Sequence, residues 1–260
     1  MPLVANSQNG SYTLGARSTA MGSASLTIQD EWAVFNNAAG LADVEASAGL
    51  ISYQNRYNIS ALNVLGAGYV HNLPFGTAGI SAFRFGDDLF NEQKLGLSFG
   101  NKLGIVSLGA TLNYAQINIE GFGRRGFAFF DFGGIVEFSK ALFFSANISN
   151  INQARVSKAE NDRQPTVMRA GISYRPIDGL MLNGEIEKDL DFKEVFKAGF
   201  EYQFYRQFLV RTGFKTEPFN ASFGLGFRPG KFDVGYAYSN DPNIGSSHEL
   251  SVALIFNQTE

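Results

Sequence analysis

The stretch Phe219-Asn220-Ala221-Ser222-Phe223-Gly224-Leu225-Gly226-Phe227 decides how this chain folds, because every odd residue in it is apolar and every even one is small or polar. A strand turns successive side chains to opposite faces, so a period of two describes a ribbon with one apolar side and one polar side. The pattern then repeats. Phe232, Val234, Tyr236 and Tyr238 alternate with Asp233, Gly235, Ala237 and Ser239; Leu250, Val252, Leu254 and Phe256 alternate with Glu249, Ser251, Ala253 and Ile255. Towards the N-terminus, Phe196, Ala198, Phe200, Tyr202 and Phe204 oppose Lys197, Gly199, Glu201 and Gln203, while Ala128, Phe130, Phe132, Val136 and Phe138 oppose Asp131, Gly133 and Glu137. Val106, Leu108, Leu112 and Tyr114 against Ser107, Gly109, Thr111 and Asn113 follow the same rule. The polar side carries full charges of both signs.

Turn signals punctuate these stretches from about Val44 onward and fall into two populations. Tight ones lie near Leu73-Pro74-Phe75-Gly76, Lys102-Leu103-Gly104, Lys140-Ala141-Leu142, Pro176-Ile177-Asp178-Gly179, Tyr205-Arg206-Gln207 and Arg228-Pro229-Gly230-Lys231, each closing one hairpin. Looser, more polar connections lie near Arg56-Tyr57-Asn58, Asp87-Asp88-Leu89, Gly121 to Gly126, Gln153 to Gln164, Asp189-Leu190-Asp191, Thr216-Glu217-Pro218 and Asn240 to Ser247. Six turns and seven looser connections join about fourteen strands, an even number suited to a closed antiparallel transmembrane barrel with both chain ends on one side.

Composition narrows the setting. The 260 residues include 25 Phe, 10 Tyr and 29 Gly but only 7 Pro, a β-favouring set. No stretch approaches 18 consecutive apolar residues, so a membrane-spanning helix is excluded, and mean hydropathy is near zero, as alternating lipid-facing and lumen-facing residues would give. A soluble sandwich would need more surface charge than the 17% of charged residues here, many of which share a face with glycine. The net charge of −3 and scattered Lys and Arg argue against nucleic acid. Cysteine is absent, which removes disulfides, thiolate metal sites and thiol catalysis. The opening Met1-Pro2-Leu3-Val4 lacks a basic start before an apolar run, so an outer-membrane location requires a leader removed from this sequence.

Residues 1 to about 42 do not alternate. They hold Gly15-Ala16-Arg17-Ser18-Thr19-Ala20-Met21-Gly22 and Asp30-Glu31-Trp32-Ala33-Val34-Phe35-Asn36-Asn37-Ala38-Ala39-Gly40-Leu41-Ala42, with the only tryptophan. A helical turn or two is expected from Trp32 to Ala38, stopped by Gly40. This segment resembles the start of the outer-membrane barrel family that includes the fatty-acid transporter FadL and, more closely, the PorV and PorQ proteins associated with type IX secretion in Bacteroidota. Those begin with a Gly-Ala-Arg start, a Met-Gly pair and an Asn-Pro-Ala-Gly-Leu block; here the block reads Asn36-Asn37-Ala38-Ala39-Gly40-Leu41, without the proline. The ending from Phe232 to Ser251 resembles that family's final hairpin.

The resemblance implies fourteen strands and an N-terminal hatch in the lumen, and divides the chain into a hatch over residues 1–42 and a barrel over 43–260. The expected hatch contacts are Arg17, Asp30, Glu31, Trp32, Asn36 and Asn37. Lumen glycines such as Gly133, Gly199, Gly213 and Gly224 let another backbone lie against the wall, and lumen charges such as Arg169, Glu185, Lys197, Glu201 and Arg211 are available to pair with it. Phe223, Leu225, Val234, Tyr236, Val252 and Leu254 are expected to face lipid.

Enzyme chemistry finds little support. Gly121-Phe122-Gly123-Arg124-Arg125-Gly126 matches GxGxxG, but a strand follows where a phosphate site needs a helix. Ser247-His248-Glu249 is no triad, because neighbours in a strand point to opposite faces. The acidic pairs Asp30-Glu31 and Asp87-Asp88 lack a metal-ligand pattern, and no catalytic residue, cofactor or metal is expected.

With thirteen connections averaging about six residues once strands of roughly ten are allowed for, loops are too short for a large ligand-catching domain. The leading reading is therefore an accessory or scaffold subunit of an envelope secretion or assembly machine, in contact with outer-membrane lipid and a larger outer-membrane or surface-exposed protein. The alternatives are a FadL-like transporter of small hydrophobic molecules and a simple diffusion pore.

Overall fold

The computed structural model describes residues 12–156, 163–190 and 192–256; residues 1–11 of the N-terminal segment, part of the Gln153 to Gln164 connection and Asp191 fall outside them. Fourteen strands run through the described residues: β1 Ser47–Asn55, β2 Val64–Leu73, β3 Gly76–Gly86, β4 Phe90–Leu103, β5 Val106–Ile119, β6 Gly123–Ser139, β7 Leu142–Ser149, β8 Val167–Tyr174, β9 Leu180–Asp189, β10 Val195–Tyr205, β11 Phe208–Lys215, β12 Asn220–Phe227, β13 Phe232–Asp241 and β14 Gly245–Phe256. Each pairs antiparallel with its sequence neighbours, and β1 pairs with β14 to close the barrel. Closure leaves no strand edge with open backbone groups.

The alternation that opens the sequence reading sets the register. Phe223 and Leu225 of β12 are each 49% exposed, whereas Ser222 between strand neighbours of the other parity is 6% exposed. Cross-strand partners keep the faces together: Phe223 sits opposite Tyr238 and Leu225 opposite Tyr236, while Gly224 sits opposite Ala237. A slip of one residue would exchange the faces. The closing ladder obeys the same constraint, with Ile51 opposite Val252 and Ser52 opposite Ser251.

The six tight turns lie on the side of the barrel where β1 begins and β14 ends. Four of them have two residues; in the one between Leu103 and Val106, Gly104 sits at φ 64°, a conformation that a side chain would strain. The other end holds the seven looser connections, called the loop side below. Strands β4, β5 and β6 are the longest, at 14, 14 and 17 residues. Their outward residues at the loop side turn polar, through Gln93, Gln116 and Arg124.

Before β1 come two short helices, α1 Ala16–Ala20 and α2 Ala33–Asn36, and a 3-10 stretch Ala38–Asp43. This differs from the expected helix over Trp32 to Ala38 with Gly40 as its stop. Asn37 leaves helical geometry at φ −162°, because its amide is committed elsewhere: Nδ2 donates to Leu26 O at 2.8 Å and to Ser145 Oγ at 3.1 Å. An asparagine side chain that finds such partners competes with helix continuation. Gly40 instead lies within the 3-10 stretch, where a Cβ would overlap the Ile28 carbonyl oxygen. The first strand also starts later than Val44, at Ser47.

Candidate functional site

The buried face of the strands meets the chain from Tyr12 to Asp43. Glycine makes the close approach possible: a Cβ on Gly213 would overlap the backbone of Met21 and Gly22, and one on Gly109 the backbone of Ala38 and Ala39. Those two positions lie on different arcs of the barrel, β11 and β5. At a third place, Ala16 and Ala20 of α1 pack on Ala237 of β13.

Hydrogen bonds and ion pairs fix the segment at charged strand residues. Arg17 donates to Glu201 of β10 through Nη2 at 2.5 Å and Nε at 2.8 Å, and to Asp30 through Nη1 at 3.0 Å. Arg211 of β11 reaches the same Glu201 at 2.6 Å. Burial opposes the charge on Arg17, but Glu201 and Asp30 more than offset it and hold the guanidinium protonated. Such a buried cluster contributes little net stability, yet removing one member strands the rest at a cost of about 3–5 kcal/mol.

A second anchor was not singled out from the sequence. Glu249 of β14 is 1% exposed and accepts from Gly15 N at 2.9 Å, Thr19 Oγ1 at 2.5 Å and Ser52 Oγ at 2.6 Å. The signal available was its parity, since Glu249 shares the buried face with Ser247 and Ser251. Glu185 of β9 accepts from the backbone of Ser25 and Leu26, both at 3.1 Å, and also holds Lys197 at 2.9 Å. Arg169 of β8 donates to Asn36 O at 2.8 Å. Near the chain ends, Lys102 bridges Asp43 at 2.5 Å and Glu137 at 3.0 Å.

The remaining residues singled out from the sequence are placed as follows. Trp32 is 4% exposed, stacked on Phe35 with ring centroids 6.1 Å apart and covered by Gly15. Asn36 holds Leu14 in both directions, accepting from its N–H and donating to its carbonyl, each at 2.9 Å. Glu31 is half-buried beside a cavity of about 440 Å³ on the chain-end side that Asp30, Arg228 and Asp233 also line. Burial first, and then the neighbouring Asp30, push the Glu31 carboxyl up to about 7. Phe223, Leu225 and Tyr236 are exposed on the outer face, and Val234, Val252 and Leu254 are half-buried on the same face.

Two cavities open on the loop side. The first, about 70 Å³, is lined mostly by polar and charged side chains, among them Glu92, Lys94, Asn113, Asp131 and Arg169, with Phe35 of the segment and Phe129 and Val167 of the wall on its apolar part and Tyr12 also against it. Around it the inward face departs from its polar rule. Leu14, Val64 and Phe83 form a buried cluster joined by Tyr12, Phe35 and Phe85, and Ala115, Phe127 and Phe129 form another joined by Ile117. The second cavity, about 330 Å³, lies against β11 to β14 and shares only Tyr12 with the first.

Among the described residues, those weighed for catalysis lie apart. Ser247 and Glu249 face inward, whereas His248 lies on the outer face with Tyr236 Oη at 2.7 Å from its Nδ1. His71 meets Ser47 Oγ at 3.0 Å on the exposed rim. Of the Gly121 to Gly126 stretch, Gly121 and Phe122 lie in an exposed connection and Gly123 to Gly126 already open β6, so a strand and not a helix follows.

No protein-family model and no curated protein matches the sequence. The fold does match solved outer-membrane barrels. The Pseudomonas putida toluene transporter TodX superposes with a TM-score of 0.69 at 10% identity, covering 94% of this chain and 98% of that one. A Pseudomonas aeruginosa FadL homologue gives a TM-score of 0.65 at 12% identity over 96% and 100% of the two chains. The Acinetobacter baumannii outer membrane protein Omp33 is more distant, with a TM-score of 0.54 at 6% identity over 81% and 98%. The closed fourteen-strand barrel is therefore of the kind found in FadL-like proteins, and these likenesses give no support to the PorV and PorQ branch.

Proposed function

We propose that this chain is an outer-membrane barrel that lets small, largely apolar molecules cross, with residues 1–42 as a hatch and 43–260 as the wall. Phe223, Leu225, Val234, Tyr236, Val252 and Leu254 then face lipid. The observation that carries this reading is the inward aromatic cluster at the loop side. A lumen wall in contact with water is expected to be polar, yet Phe83, Phe85, Phe127 and Phe129 point inward there and meet Tyr12, Leu14 and Phe35 of the hatch. These apolar side chains border a cavity whose own lining is mostly polar, and its apolar part, with Phe35, Phe129 and Val167, is where an apolar solute would be held. The fold likeness to a toluene transporter and to a FadL homologue supports passage of such a solute over the scaffold role that the short loops first suggest.

The test is uptake of radiolabelled toluene by cells whose outer membrane carries the intact chain, against cells carrying Phe83→Asp with Phe129→Asp. The intact chain is expected to speed uptake several-fold, and the double variant to lose most of that gain without losing the barrel. Equal uptake with and without the protein, together with a large partner that co-purifies in fixed ratio, would return the accessory reading to first place.

A further inference from the structure

The second loop-side cavity has a chemistry that the passage of apolar molecules does not use. Its charged lining consists of Arg56, just past β1, and Lys215, the last residue of β11; no Asp or Glu lines it. Among the described residues neither cation has a carboxylate partner. Lys197, opposite Lys215 across the β10–β11 ladder, holds both Glu185 at 2.9 Å and Glu187 at 2.7 Å, so those acids are engaged. Arg56 is held in place by its Nε bond to Gln54 Oε1 at 2.8 Å and by stacking 4.8 Å above the Tyr12 ring. That leaves the outer edge of its guanidinium fork for a ligand. Two cations facing one space whose lining holds no carboxylate favour an anion there.

The rest of the lining says what kind of anion. Thr19, Ser23, Ser222, Ser239 and Ser247 bring hydroxyls from α1, the turn after it, β12, β13 and β14. Hydroxyls both donate and accept, so one already engaged still has capacity for a ligand. Apolar lining is confined to Leu62, Phe85, Phe90 and Pro218, and Phe85 is already covered by Arg56 at 5.9 Å and by Tyr12 at 5.6 Å. An alkyl tail would find fewer apolar partners here than hydroxyl and amide ones. We propose that this vestibule binds a small polyhydroxylated organic anion, of the class of sugar acids and hydroxy acids, at a site separate from the apolar one.

The test uses the full chain in detergent and three probes read by isothermal titration calorimetry: gluconate, sorbitol and hexanoate. They separate charge with hydroxyls, hydroxyls alone, and charge with an alkyl tail. Gluconate is expected to bind at least tenfold more tightly than either of the others, and more weakly as salt rises. Lys215→Gln and Arg56→Gln should each weaken gluconate about tenfold or more, Lys215→Arg should retain it, and neither Lys215 variant should change toluene uptake. Because Arg56 lies outside the strands, its variant remains informative if Lys215→Gln fails to form a barrel. Sorbitol binding equal to gluconate, hexanoate binding as tight as gluconate, or gluconate affinity that is absent or indifferent to both substitutions would each overturn the proposal. Loss of toluene uptake with gluconate binding intact would instead count against the passage of apolar molecules alone.

Discussion

Glu249→Ala is the substitution that most directly probes how the N-terminal segment is held. Three donors converge on the Glu249 carboxylate, the Gly15 backbone at 2.9 Å and the Thr19 and Ser52 hydroxyls at 2.5 and 2.6 Å. The two hydroxyls can rotate to other acceptors, but the Gly15 N–H is fixed by the backbone and is left buried without a partner, at about 1–3 kcal/mol. Adding the lost charge-assisted bond of Thr19, about 1.5–3 kcal/mol, and offsetting part of the sum by the carboxylate's own desolvation, the docked segment loses about 2–4 kcal/mol. At 1.4 kcal/mol per tenfold, the docked fraction relative to the undocked one falls on the order of 30-fold to several hundredfold. The β1–β14 ladder runs through backbone pairs on both sides of Glu249, so the barrel itself should survive, which a closed strand network would report as a band that shifts on heating in a denaturing gel. Iodide quenching of Trp32 is the assay, since that ring is 4% exposed and is the only tryptophan. Glu249→Gln, which keeps one acceptor oxygen, should lie between. If Trp32 in Glu249→Ala stays as shielded as in the intact protein, Glu249 is not an anchor and the reasoning fails.

Two further perturbations address other parts of the account. Leu225→Arg places a charge on the outer face and should cost about 2–4 kcal/mol near the bilayer midplane, whereas Ile177→Arg, in an exposed turn residue 62% accessible, should cost almost nothing; denaturant unfolding from lipid vesicles separates the two, and equal costs would place Leu225 away from lipid. Glu31 is pushed up to about 7 by burial and by Asp30, so the docked segment favours its neutral form. Its contribution is fully favourable below the ordinary glutamate range near 4.5, declines as pH rises to about 7, and is constant above. Trp32 quenching should therefore increase over that window, and Glu31→Gln should flatten the profile; an unchanged profile in the variant would assign the dependence to another group.

The barrel was legible because its physical cause is local. A period of two over Phe219 to Phe227 and turn residues at places such as Gly104 and Gly230 are properties of neighbouring residues, and they suffice to count strands and assign faces. What the alternation does not carry is which inward residue meets which part of the chain before β1. Glu249 and Glu201 are both acids on the buried parity, yet only three-dimensional placement distinguishes one that accepts from Gly15 and Thr19 from one shared by Arg17 and Arg211. The same gap hid the inward aromatics. Phe127 and Phe129 sit in a run where Phe130 and Phe132 are also aromatic, so both faces look apolar and the parity rule loses contrast. Asn37 misled for a related reason, since its helix-breaking partners, Leu26 and Ser145, are distant in sequence. Ser251 shows the practical consequence: it is small, polar and on the buried parity, but its hydroxyl accepts the Ala16 N–H at 3.1 Å, so a large substituent there would press on α1.

The central claim is that residues 1–42 close the barrel as a hatch, and single-channel recording in planar bilayers tests it most directly. The strand ladder from Ser47 to Phe256 closes on itself, so a chain lacking residues 1–42 should still insert. The account predicts that the intact protein is nearly silent to small ions while the truncated one conducts in large, steady steps. Equal conductance from the two would contradict it, and would make the barrel an open pore.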